Sequence, residues 1–81
     1  MNVRVRLFAS LREKAGRNHQ ALELPDGASV ETAWSRLAED EPRLAPHRAS
    51  LTAAVNRRYA PFDTELHEGD EVAFIPPVSG G

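Results

Sequence analysis

One apolar stripe limits the folds open to this chain. Val30, Ala33, Trp34, Leu37 and Ala38 recur at the spacing of a single helical face. Ser29 stands where an N-cap belongs, and Glu31 falls in the first turn, where a negative charge is favoured. Pro42 prevents continuation much past Asp40. No other segment predicts a helix of comparable length. A lone helix with one apolar face must bury that face against a second layer.

The rest of the chain supplies that layer in short pieces. Val3, Val5 and Leu7 alternate with Arg4, Arg6 and Phe8, the period of a half-buried strand. Ser10-Leu11-Arg12-Glu13 reads as a capping box opening a short helix that Gly16 ends. Gln20 to Leu24 predicts a second strand, closed by the turn residues Pro25-Asp26-Gly27. Arg43 to Ser50 is polar and predicted irregular, with Leu44 as its anchor to the core. Leu51 to Val55 predicts a third strand, and Asn56-Arg57-Arg58 a turn into a short strand at Tyr59. Asp63 is placed to cap one helical turn before Leu66. Glu68-Gly69-Asp70 turns the chain into a last strand, Glu71 to Ile75.

This order predicts a two-layer α+β domain with one mixed sheet packed on one main helix. The β-grasp arrangement fits it best. There the first and last strands lie side by side and parallel at the sheet centre. Residues 1–75 are the expected domain and 76–81 a flexible C-terminal tail.

Composition narrows the function. With 81 residues, one domain is expected. A net charge of −2 argues against nucleic acid, whose phosphates call for a basic surface. Cysteine is absent, so no thiolate nucleophile or disulfide exists. His19, His47 and His67 share no ligand spacing, and there is no phosphate-binding loop motif. No bound metal or cofactor is expected. Nor does any segment approach the roughly 20 apolar residues that span a bilayer. The default expectation is a cytoplasmic protein with no membrane partner.

The sharpest functional signal is the closing run, Pro76-Pro77-Val78-Ser79-Gly80-Gly81. Two prolines stiffen the exit from an apolar strand, and two glycines offer backbone without side chains. Such an arm fits a channel too narrow for a Cβ and presents an open carboxylate to another protein's chemistry. Strand alternation also puts Phe8 and Ile75 on the face away from the helix, with Tyr59 nearby. They predict an apolar patch near the tail, of the kind that marks partner sites. Arg4, Arg6, Arg12, Arg57 and Arg58 read first as a solvated sheet surface.

These residues resemble the small subunit of molybdopterin synthase, a ubiquitin-like sulfur-carrier family. The resemblance is carried by Leu7-Phe8-Ala9-Ser10-Leu11-Arg12-Glu13-Lys14-Ala15-Gly16, by Leu51-Thr52-Ala53-Ala54-Val55-Asn56, and by the run from Gly69 to Gly81. Between Arg17 and Ser50 the likeness is one of pattern more than of identity.

The resemblance implies specific chemistry. An E1-like adenylating enzyme uses ATP to convert the Gly81 carboxylate to an acyl-adenylate. A sulfur donor displaces AMP and leaves a Gly81 thiocarboxylate. The tail then enters the large synthase subunit, where the sulfur attacks cyclic pyranopterin monophosphate. The implied assembly is a heterotetramer of two large and two small subunits. This chain would contribute no acid or base. Gly80 and Gly81 would serve threading and attack, Pro76, Pro77, Val78 and Ser79 would direct the tail, and Phe8, Tyr59 and Ile75 would dock on partners. A carrier for thiamine or cysteine synthesis, a ubiquitin-like modifier of lysines, and a plain binding module are the competing readings.

Overall fold

The computed structural model describes residues 1–77. Its elements are β1 (Asn2–Leu7), α1 (Ala9–Ala15), β2 (His19–Glu23), α2 (Val30–Asp40), a 3-10 helix (Pro42–Ser50), β3 (Thr52–Val55), β4 (Arg58–Tyr59) and β5 (Glu71–Ile75). The strands form one sheet in the order β2-β1-β5-β3-β4. The first and last strands are adjacent and parallel, with Leu7 opposite Phe74, and every other pairing is antiparallel. This is the expected mixed sheet, with β5 at its centre.

Alternation sets the faces of the strands. In β1, Val3, Val5 and Leu7 are buried while Arg4 and Arg6 are exposed. In β5, Val72 and Phe74 are fully buried while Glu71, Ala73 and Ile75 are partly so. Val30, Ala33, Trp34 and Leu37 of α2 join the inward strand residues in one core cluster. The Trp34 ring meets Phe74 edge-on, with centroids 5.1 Å apart at 65°. Burying one such large apolar side chain contributes about 1.5–3 kcal/mol. A row of them accounts for the stability of so small a domain.

Helix α2 begins as its sequence predicts. The Ser29 hydroxyl accepts from the Thr32 amide, and the Thr32 side chain accepts from the Ser29 amide, closing a capping box. The short helix starts differently from expectation. Phe8 is the N-cap of α1 with no side-chain cap, and Ser10 lies inside the helix, so the predicted Ser10–Glu13 capping box does not form. The reason is that Ala9 turns the chain at φ 49, one residue before Ser10 could cap. The α1 stop is as expected: Gly16 adopts φ 74 and donates to the Arg12 carbonyl.

Two loops also depart from the sequence reading. Pro42–Ser50 is not irregular but a continuous 3-10 helix, with Leu44 wholly buried as its anchor. Arg48 ties this segment to α2 by a forked hydrogen bond to Glu31, and its guanidinium lies 3.5 Å from the Phe62 ring centroid. No helical turn forms after Asp63. Leu66 instead donates to the Ala28 carbonyl, and Glu65 makes a bridge with Ser29. Extended pairing with the loop before α2 takes the backbone bonds that a turn of helix would have used.

Candidate functional site

The site is built on the sheet face opposite α2. Arg6 of β1 faces Ala73 of β5, Ala73 faces Ala54 of β3, and Ala54 faces Tyr59 of β4. These residues form one transverse row whose two central members are alanines. The larger side chains stand around them. An open concavity of about 240 Å³ results, bordered by Arg6, Phe8, Arg57, Tyr59, Glu71 and Ile75 and floored by the alanines.

Local folding explains each position. Phe8 follows the last residue of β1 in extended conformation, φ −125 and ψ 154, so it continues the alternation and stays outward. It is 36% exposed. Tyr59 is 80% exposed, because β4 is a two-residue edge strand with none of the described residues packed over it. Asn56 and Arg57 both have positive φ, 50 and 71, as a tight hairpin turn between antiparallel strands demands. Asn56 suits that backbone and is held there. Its side-chain amide donates to Asp70, and its carbonyl oxygen accepts from the Glu71 amide. Ile75 ends β5 and is half-buried.

Phe8, Tyr59 and Ile75 therefore border one concavity, at the edge where β1 and the central strand both end. Pro76, just beyond, is buried, and Pro77 is exposed. The other predicted tail residues, Val78, Ser79, Gly80 and Gly81, lie outside the described residues. Ala54 and Ala73 did not stand out in the sequence as site residues. Their signal was small side chains at outward positions of two neighbouring strands.

The carboxylates with altered acidity lie elsewhere. Glu31 is held below the usual carboxylate range by its hydrogen bonds from Arg48, against a smaller opposing effect of burial. Glu41 is lowered in the same way by Arg43. Among the described residues no three His, Asp or Glu side chains gather into a group able to hold a metal. No helix there is long and apolar enough to cross a membrane.

Comparison with known proteins identifies the family and supports the fold. The sequence pattern of the ThiS family matches residues 5–81. The chain is 43% identical over 83 residues to the molybdopterin synthase sulfur carrier subunit of Chlamydomonas reinhardtii, with all of both chains covered. It is 38% identical over 82 residues to the subunit of that name from Mycobacterium tuberculosis, covering 100% of this chain and 99% of the other. The crystal structure of SAMP1 of Haloferax volcanii, a small archaeal modifier protein, superposes with a TM-score of 0.88 at 27% identity over the whole of both chains. The chain belongs to the ThiS family and, within it, to the molybdopterin synthase sulfur carrier subunits.

Proposed function

We propose that this protein carries sulfur for molybdopterin synthesis on its C-terminal glycine. The observation that carries this reading is the 43% identity to a molybdopterin synthase sulfur carrier subunit along the full length of both chains. An apolar concavity beside the end of the central strand supports it, because a partner seated there would lie next to the outgoing tail.

The chemistry follows from the carboxylate. Oxide is a hopeless leaving group, so Gly81 must be activated before sulfur can enter. An E1-like enzyme supplies ATP; the carboxylate attacks the α-phosphate, pyrophosphate leaves, and an acyl-adenylate forms. A sulfur nucleophile then displaces AMP and leaves a thiocarboxylate. The large synthase subunit receives the tail, the sulfur attacks the cyclic pyranopterin monophosphate to give a thioester link, and water then cleaves the acyl–sulfur bond, leaving sulfur on the pterin and a carboxylate on Gly81. In this scheme residues 1–75 are the handle and 76–81 the arm. Pro76 and Pro77 fix its direction, Val78 and Ser79 extend it, and Gly80 and Gly81 pass where a side chain would not. Phe8, Tyr59 and Ile75 hold the partner.

Deleting Gly81 tests the reading. It should abolish sulfur transfer in a reconstituted synthase and leave the melting temperature unchanged, since β5 ends at Ile75. Unchanged transfer by the shortened chain would overturn the proposal. A second reading, attachment of Gly81 to lysines of other proteins, is favoured by the likeness to the small archaeal modifier protein. Isopeptide-linked adducts that form only with an intact diglycine would support it.

A further inference from the structure

The docking face has a charge as well as an apolar centre. Arg4 and Arg6 are both exposed on it, side by side on β1. Among the described residues neither makes an ion pair; the Glu71 carboxylate, opposite Arg4 in the sheet, lies 3.9 Å from Arg57 instead. The Arg6 guanidinium stands 5.3 Å from the Phe8 ring centroid, which holds it at the rim of the apolar concavity. A second hollow of about 360 Å³ adjoins the first, lined by Arg4, Arg6, His19, Ala21 and Glu71. The two hollows share Arg6 and Glu71.

Arg57 completes the rim from the other side. Its backbone sits at φ 71, a conformation that is free for glycine and strained for any side chain with a Cβ. Its side chain is 84% exposed and meets Glu71 at 3.9 Å. Three guanidiniums thus surround a face with Glu71 near its middle, on a chain whose net charge is −2. Glu23, opposite Asn2 in the sheet, adds a second carboxylate at the β2 edge, so on this face guanidiniums outnumber carboxylates three to two.

We propose that the face docks an acidic protein surface. An apolar projection of the partner would enter between Phe8 and Tyr59, and carboxylates beside it would pair with Arg4, Arg6 and Arg57. The occupant is the protein that receives the tail. This rests on the docking role proposed above and adds the sign of the partner's charge. Nucleic acid fits less well, because its phosphates would face Glu71 and leave the apolar hollow unfilled. A second copy of the chain would bring arginines against arginines.

The test measures binding of the full chain to the large synthase subunit across a range of salt. Arg4→Glu with Arg6→Glu should weaken binding about tenfold or more at low salt, with the deficit shrinking as salt screens it. Arg57→Gly should weaken binding severalfold while its melting temperature stays level or rises. Tyr59→Asp serves as the control for the docking role itself. If Tyr59→Asp fails to bind while the double arginine variant, folded by circular dichroism, binds normally at all salt concentrations, the acidic partner is wrong and the docking role stands. If both bind normally, the docking role fails as well. A dimer of the isolated chain in sedimentation that Arg6→Glu dissolves, or tighter binding to RNA than to the large subunit, would also overturn the proposal.

Discussion

Arg6 and Tyr59 stand on one row of the sheet, three strand spacings apart, with only Ala73 and Ala54 between them. At ~4.8 Å per spacing the gap is about 14 Å, wide enough for one inserted side chain of a partner. The alanines are what keep it open. Replacing Ala73 with tryptophan should fill the floor. The residue is only partly buried and points away from the core, so unfolding should shift by no more than a few degrees. Binding to the large subunit should fall by about tenfold or more, the scale of a blocked interface centre. Calorimetry of the variant, alone and with its partner, checks both halves.

Ile75→Lys separates docking from stability in a second way. Ile75 is half-buried on the sheet face opposite α2, so the change should cost about 1 kcal/mol of stability, typical of a partly exposed site. Its main effect should be on partner affinity. A loss above about 3 kcal/mol in denaturant titration would instead assign Ile75 to the core.

The opposite face answers differently. Phe74 is fully buried and meets both Trp34 and Phe62. Phe74→Ala should remove about 3–5 kcal/mol, a large share of the roughly 5–15 kcal/mol available to a small domain. Much of the chain should then be unfolded at physiological temperature, as near-ultraviolet circular dichroism would report.

The pair Glu31–Arg48 gives stability a pH dependence. Hydrogen bonding to Arg48 lowers the Glu31 pKa in the folded state, so the folded chain holds the carboxylate charged where the unfolded chain would take up a proton. Its contribution is therefore fully present above the unfolded value, about 4.3, and is lost as pH falls through the lower folded value. The Glu31 side chain is 46% exposed, so solvent screening limits the pair to about 1 kcal/mol or less. Glu31→Gln should lower the melting temperature at neutral pH, and the difference from the parent chain should close in strong acid. A difference that persists there would mean that the stacking of Arg48 on Phe62, and not the charge, carries the effect.

The main features were legible in the sequence because periodicity is a robust signal. The α2 stripe, the β1 alternation and the Gly16 stop each follow from residues acting locally. Where local signals compete with tertiary bonding, the sequence misled. Ser10 looked like a cap, but the chain had already turned at Ala9. Asp63 looked like a helix start, but pairing of Glu65 and Leu66 with the loop before α2 prevailed. The polar Pro42–Ser50 run hid a 3-10 helix whose order comes from Leu44 and from the Arg48–Glu31 fork, both long-range contacts. The apolar rim of the concavity, Phe8, Tyr59 and Ile75, could be named from alternation, but its floor could not. Ala54 and Ala73 become the floor of a hollow only once strand order places them side by side.

Intact mass spectrometry reads directly whether Gly81 accepts sulfur. The purified chain would be incubated with the E1-like enzyme, ATP and a sulfur source. A mass gain equal to replacing one oxygen by sulfur, localised to Gly81 by fragmentation, is the predicted result. An unchanged mass alongside an activating enzyme shown to be active would contradict it.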